Sequence, residues 1–265
     1  MVSSKLINMT LKYRIVSIGS SILLLCLLWG CQSSPGFSRE ISGTVLAVDS
    51  TVAPQKDPAV DSIIGIYREQ LEAEMNEVLA HSAHHMEKAS PEGLLNNFVA
   101  DLILEVGESL YDPEDESAID FCLLNYGGLR TSLPEGPVTR GRVFELMPFE
   151  NEMVVITLTA EKTRELFDYL ALADRGMPVS GIQFEINEDR TWEAEIRGNP
   201  FTSRNYKVLT SDYLAGGGDN MTFFLDPLDE EYLDMRIRDA IIQYLQQADR
   251  EGRKISSELD GRISQ

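Results

Sequence analysis

FCLLNYGGLR, residues 121–130, runs a mostly apolar segment into Asn-Tyr-Gly-Gly and ends on an arginine. The apolar part, extended back to Ile119 and on to Leu124, reads as a strand buried on both faces and therefore central in a sheet. Gly127 and Gly128 can take positive φ where a Cβ would clash, and they also let backbone approach a ligand closely. Arg130 then supplies a cation at the end of the turn. A buried strand that opens onto a loop with an amide, two glycines and an arginine suits an anionic ligand, provided the chain builds a site around it.

The surrounding pattern mixes helices and strands. Ile64, Tyr67, Leu71, Met75 and Val78 recur at helical spacing and predict an amphipathic helix over 62–80. Ser90-Pro91-Glu92 has the form of a helix start, with Leu95, Phe98, Leu102 and Val106 on the apolar face that follows. Strands are expected at Met153–Leu158 and Tyr206–Thr210, and a hairpin at Gly181–Ile186 and Trp192–Ile196. Thr159 is placed to cap a helix carrying Leu166, Phe167 and Leu170, and Met235, Ile237, Ile241 and Leu245 mark a last helix. No strict βαβ rhythm appears, which predicts an α+β fold with mixed sheets and packed helices.

Two further loops resemble the first in carrying unusual residues: Met147-Pro148-Phe149-Glu150-Asn151, and the run from Asp212-Tyr213 through Gly216-Gly217-Gly218 to Asp219. Phe149 and Tyr213 are suited to holding a flat ring between two faces. Asp219 can accept hydrogen bonds from a sugar diol, and Arg130 offers a planar fork to phosphate. Asn125 and Asn151 add amide edges, and Gly128 lets the backbone come close. Singly, each loop reads as a turn or a core aromatic; together they describe a nucleotide site.

The order and spacing of NYGGLR, MPFEN, SGIQFEI and YKVLTSDYLAGGGD, with PEGLLNNFVAD ahead of them, resemble the C-terminal, substrate-binding domain of the bacterial 5′-nucleotidase/UDP-sugar hydrolase family. The resemblance spans roughly residues 60–265. It implies that Phe149 and Tyr213 sandwich the base, Asp219 binds the ribose, Arg130 meets the phosphate, and Asn125 and Asn151 are contact residues. A phosphate-binding arginine common in the family falls here on Ala89, next to Lys88. The family's two-metal chemistry belongs to an N-terminal metallophosphatase domain whose Asp-x-His and Gly-Asn-His motifs do not occur in this sequence. Its histidines are His81, His84 and His85, of which His81 and His85 could share a helix face. The expectation is that this chain binds no metal and that divalent metals sit on a separate metallophosphatase subunit. The sequence then reads as the substrate-binding half of a split nucleotidase. The alternatives are a non-catalytic nucleotide or nucleoside capture lipoprotein, or a domain with a purely structural use.

The remaining residues bear on location. Lys5, Lys12 and Arg14 precede an apolar run, Ile15–Leu28, that ends at LWGC, residues 28–31. The run is short for a membrane span and has the flanks of a signal peptide. A small residue before a cysteine resembles a lipobox, with Trp29 an uncommon occupant, so Cys31 is the candidate lipid-attachment residue. An ordinary signal peptide and an uncleaved anchor are the alternatives. The expected organisation is a leader over 1–30, a Ser/Pro/Asp-rich tether over 31–60 with one strand at Gly43–Val48, and a nucleotide-binding domain over 61–265, exported and membrane-anchored. Net charge is −20, and loss of residues 1–30 removes three cations and no acid, giving −23. Such a surface repels nucleic acid while leaving room for a small anion in a local cationic pocket. Cys122 lies within the apolar strand and reads as a core residue.

Overall fold

A computed structural model describes residues 58–113 and 117–265. The leader, Cys31, the tether and the expected strand at Gly43–Val48 lie outside the described residues.

In chain order the elements are α1 (Pro58–Met75), β1 (Val78–Ser82), α2 (Leu94–Leu110), β2 (Phe121–Leu123), β3 (Gly136–Thr139), α3 (Arg140–Leu146), β4 (Glu152–Leu158) and α4 (Ala160–Leu172). There follow β5 (Val179–Ser180), β6 (Ile182–Ile186), β7 (Trp192–Ile196), β8 (Asn199–Pro200), β9 (Tyr206–Ser211), α5 (Asp212–Ala215), β10 (Asp229–Arg236), α6 (Ile237–Arg250) and β11 (Ile263–Ser264). The fold is α+β. A mixed five-stranded sheet has the order β10-β4-β9-β2-β5, a four-stranded sheet the order β11-β6-β7-β8, and β1 pairs with β3.

Alternation along the strands of the large sheet divides the core in two. Cys122, Met153, Val155 and Leu209 point to one face, where α2 and α6 cover them. Phe121, Leu123, Val154, Ile156 and Val208 point to the other, against α4 and the inner face of the four-stranded sheet. Burial on both faces explains why these strands read as continuous apolar runs. Phe167 of α4 joins the second core, its ring 6.0 Å from Phe121, 5.4 Å from Phe184 and 5.0 Å from Trp192. The Cys122 thiol is free and buried, and that burial pushes its pKa up, so it stays protonated.

Several expectations need correction. The first helix ends at Met75, and Val78 begins β1, where Arg140 N bonds Glu77 O at 2.9 Å. Ile64, Tyr67 and Leu71 of α1 are exposed. Ser90 does not cap α2, whose N-cap is Gly93. Glu92 is used elsewhere: its carboxylate accepts from Asp260 N (3.0 Å) and Gly261 N (3.1 Å), tying the C-terminal segment to the helix start. His81 lies in β1, not on a helix face shared with His85. Met235 belongs to β10, an edge strand whose opening acids Asp229, Glu230 and Glu231 keep it polar. Thr159, as expected, caps α4 by accepting from Lys162 N.

Phe167→Ala empties the meeting point of both sheets and α4. It should lower the unfolding free energy by about 3–5 kcal/mol, read as a lower urea midpoint at unchanged slope.

Candidate functional site

The sheet order brings the three singled-out loops together. Strand β2 runs parallel to β9, pairing Phe121 with Val208 and Cys122 with Leu209. Loops leaving the C-terminal ends of parallel strands emerge at the same edge, so Asn125–Arg130 and Asp212–Asp219 are neighbours. Strand β4 is antiparallel to β9, with Met153 opposite Ser211. Its entry loop, Met147–Asn151, therefore opens onto that edge too. Asn125, Gly128, Arg130, Phe149, Asn151, Tyr213 and Asp219 all line one cavity of about 380 Å³, completed by Leu124, Met147 and Ile237.

The first loop is a 3-10 turn, Tyr126–Gly128. Neither Gly127 nor Gly128 has positive φ, contrary to expectation. A Cβ at Gly128 would lie 2.8 Å from Asn125 Oδ1, so any side chain there would have to move the Asn125 amide. Lys88 braces the turn from outside. Its ammonium donates to Leu129 O (2.7 Å) and Tyr126 O (3.2 Å) and stands 4.1 Å over the Tyr126 ring. Arg130 is exposed, and its side chain makes one long contact, 3.4 Å to Gly127 O.

Arg236 and Arg238, at the start of α6, fix the second loop. Both hold the Glu150 carboxylate, Arg236 at 2.9 Å, and Arg238 also donates to Phe149 O at 3.3 Å. The hydrogen bond from Arg238 is the main cause holding the Glu150 pKa below the usual carboxylate range. Asn151 Nδ2 donates to Asp212 Oδ1 (2.8 Å), which also accepts from Tyr213 N (2.7 Å).

The glycine-rich loop is not slack. Gly217 takes φ +82° and Asp219 φ +52°. Asp219 is held at four atoms. Its Oδ1 accepts from the Tyr213 hydroxyl (2.8 Å), its Oδ2 from Asn125 Nδ2 (3.1 Å) and its carbonyl from the Tyr169 hydroxyl (3.1 Å), while its N donates to the Tyr213 oxygen (3.1 Å). The Tyr213 ring lies against Gly218, where a Cβ would come within 2.5 Å of Cε1 and Cζ. Phe149 is 41% exposed and Tyr213 45% exposed, so both rings keep open surface.

Two groups that act on the site from outside its lining carry little signal in the sequence. The Arg236/Arg238 clasp on Glu150 is signalled only by charges alternating across the β10–α6 junction. Arg175 sits in a loop with no motif around it. Yet burial, then Arg130 and then Arg175 lower the Lys88 pKa, so three cations share one electrostatic neighbourhood. Asn96 joins the two segments that bring Lys88 and Arg175 together: its Nδ2 bonds both Ala89 O (3.2 Å) and Gly176 O (2.5 Å). A cavity with open rings, an acceptor carboxylate and an exposed arginine, Arg130, is suited to a planar, anionic molecule. A larger hollow, about 520 Å³, is lined instead by Gln183, Glu185, Glu193 and Glu195, and presents carboxylates. Among the described residues no group of three or more His, Cys, Asp or Glu is placed to hold a metal ion.

The profile of the 5′-nucleotidase, C-terminal domain family matches residues 74–226. The chain belongs to that family. It is 25% identical over 246 residues to the trifunctional nucleotide phosphoesterase protein YfkN of Bacillus subtilis, covering 84% of this chain and 16% of YfkN. It is 27% identical over 113 residues to protein UshA of Escherichia coli, covering 40% of this chain and 20% of UshA. Among solved structures, a 5′-nucleotidase precursor from Thermus thermophilus aligns with a TM-score of 0.63 at 23% identity, over 78% of this chain and 43% of that one. The NAD nucleotidase of Haemophilus influenzae aligns with a TM-score of 0.58 at 15% identity, over 80% and 42%. The chain thus spans a quarter or less of YfkN and UshA. The structural likenesses establish the fold, an α+β domain of the 5′-nucleotidase C-terminal type.

Arg130 is one of the charges that lower the Lys88 pKa, so an anion held at Arg130 favours the charged ammonium and draws that pKa back up. Inorganic phosphate should therefore bind with proton uptake, and its affinity should fall as pH rises through an alkaline window below the ordinary lysine range. Calorimetry at several pH values checks this; Lys88→Met should flatten the dependence.

Proposed function

We propose that this chain is the substrate-binding half of a split 5′-nucleotidase. In this reading a nucleotide lies with its base between Phe149 and Tyr213, its sugar at Asp219, and its phosphate towards Arg130. Asn125 and Asn151 orient the loops through Asp219 and Asp212, and Gly128 admits the backbone. The observation that carries this is the convergence of the seven residues on one cavity. Divalent metals and the activated water come from a separate metallophosphatase chain. Family membership and the nucleotide chemistry named for the relatives support the substrate class. The chain's residues bind and orient; neutralising phosphate charge at Arg130 favours attack by an external nucleophile.

Phe149→Ala and Tyr213→Ala should each weaken AMP binding by about 1–3 kcal/mol, measured by calorimetry. Arg130→Ala should weaken AMP far more than uncharged adenosine, because only the phosphate makes the charge-assisted contact. Mixed with a separately encoded metallophosphatase, the chain should confer AMP hydrolysis, and Arg130→Ala should lower kcat/KM. Equal affinity in wild type and both ring variants would remove the clamp. Binding without stimulation of any metallophosphatase would leave a nucleotide-capture protein instead.

We also propose that the chain is an exported lipoprotein anchored through Cys31, a reading supported by the LWGC segment after an apolar run. Cys31→Ser should move the protein from the membrane fraction to the soluble fraction and change its gel mobility. Unchanged fractionation and mobility would remove the anchor.

A further inference from the structure

The glycine-rich loop ends on an unusual backbone. Asp219 has φ +52° and Asn220 φ +62°, two left-handed residues in succession, neither of them glycine. Asp and Asn enter that region as single residues, and a pair persists only where its surroundings over-determine it. The carbonyl of Asp219 belongs to the peptide that joins the two. Its direction follows ψ of Asp219 and φ of Asn220, so a group that holds this oxygen holds the turn and aims the Asp219 side chain. The Tyr169 hydroxyl holds it, at 3.1 Å. The other partners of Asp219 are themselves on loops. Tyr213, which meets Oδ1 and N, travels with the same loop, and Asn125 meets Oδ2 from the first loop. Tyr169 comes instead from α4, whose Leu166, Phe167 and Leu170 are buried in the core. Its ring stands edge-on to the buried Phe223, 5.7 Å away.

From this geometry we propose that Tyr169 is a positioning residue for sugar recognition, a role that rests on the nucleotide reading above. It lies outside the cavity lining. Through its hydroxyl it fixes the left-handed Asp219–Asn220 turn to the body of the fold and so points the Asp219 carboxylate at a ribose cis-diol. Asn125 and Tyr213 each give the carboxylate one donor, on different oxygens. Both oxygens keep lone pairs for the two sugar hydroxyls. What the diol needs is a carboxylate that already faces it, and a carboxylate on a turn free to rotate would lose that alignment.

Tyr169→Phe keeps the ring against Phe223 and removes only the donor. Calorimetry on the full chain compares adenosine with 2′,3′-dideoxyadenosine, which keeps the base and lacks the diol. The variant should weaken adenosine about five-fold, the worth of one neutral hydrogen bond, and weaken dideoxyadenosine far less. A loss shared equally by the two nucleosides assigns Tyr169 to packing alone and overturns the proposal, as does no loss at all. Amide hydrogen exchange reads the turn without any nucleoside. Met221 N bonds Gly218 O at 3.0 Å across it, and Asp219 N bonds the Tyr213 oxygen. Both amides should exchange faster in Tyr169→Phe. Unchanged exchange overturns the proposal even if nucleosides bind. Faster exchange in a protein whose wild type binds neither nucleoside overturns the nucleotide reading and the sugar role with it, while the hold of Tyr169 on the turn stands.

Discussion

The site depends on one pairing, that of β2 parallel to β9 within an otherwise antiparallel neighbourhood. Parallel strands end on the same side, so the amide-glycine-arginine turn and the tyrosine-glycine-aspartate loop leave the sheet together. The antiparallel β4 then delivers the Phe149 loop to the same edge from its opposite end. A different sheet order would scatter these residues over two edges. The pairing is secured by burial: Cys122 and Leu209 pack into one core, Phe121 and Val208 into the other. Register and face are therefore set together.

On this frame the loops are held by polar contacts between them. Arg130 N bonds Leu146 O at 2.9 Å, joining the first loop to the end of α3, and Ile237 N bonds Asn151 O at 2.9 Å. Asn125 reaches Asp219, and Asn151 reaches Asp212. The C-terminal segment is fixed in a comparable manner. Arg262 is buried, with Asp101 at 2.6 and 3.0 Å and Asp260 at 2.8 Å. Such a guanidinium costs desolvation, which is offset only while both carboxylates remain.

Much of this was legible in the sequence because the signals were local. The apolar runs around Cys122 and Val155, the Thr159 cap and the hairpin at 182–196 announce themselves through period and end chemistry. The seven cavity residues were legible as three unusual loops. What failed depended on distant partners. Glu92 looks like a first-turn acid of a helix but is taken up by Asp260 and Gly261, far along the chain. Val78 fits a helical period but is drawn into β1 by pairing with β3. The acidic strand β10 has little strand propensity and exists because β4 offers it an edge. Arg175 gains meaning only when Asn96 brings its loop beside Ala89, and the Tyr213 hydroxyl only when the glycines fold its ring back towards Asp219.

The cation cluster also has a kinetic consequence. Several other arginines among the described residues lie against carboxylates, as Arg140 does with Glu77, Arg197 with Glu108 and Arg204 with Asp120. From a distance a charged solute therefore meets the field of a chain with net charge −20. In dilute buffer that field slows the encounter of any small anion with the domain. At physiological ionic strength the Debye length is about 8 Å, so remote acids fall silent while Arg130, which lines the cavity, is still felt. Added salt should thus speed the approach of an anion to this surface, the reverse of ordinary steering between opposite charges.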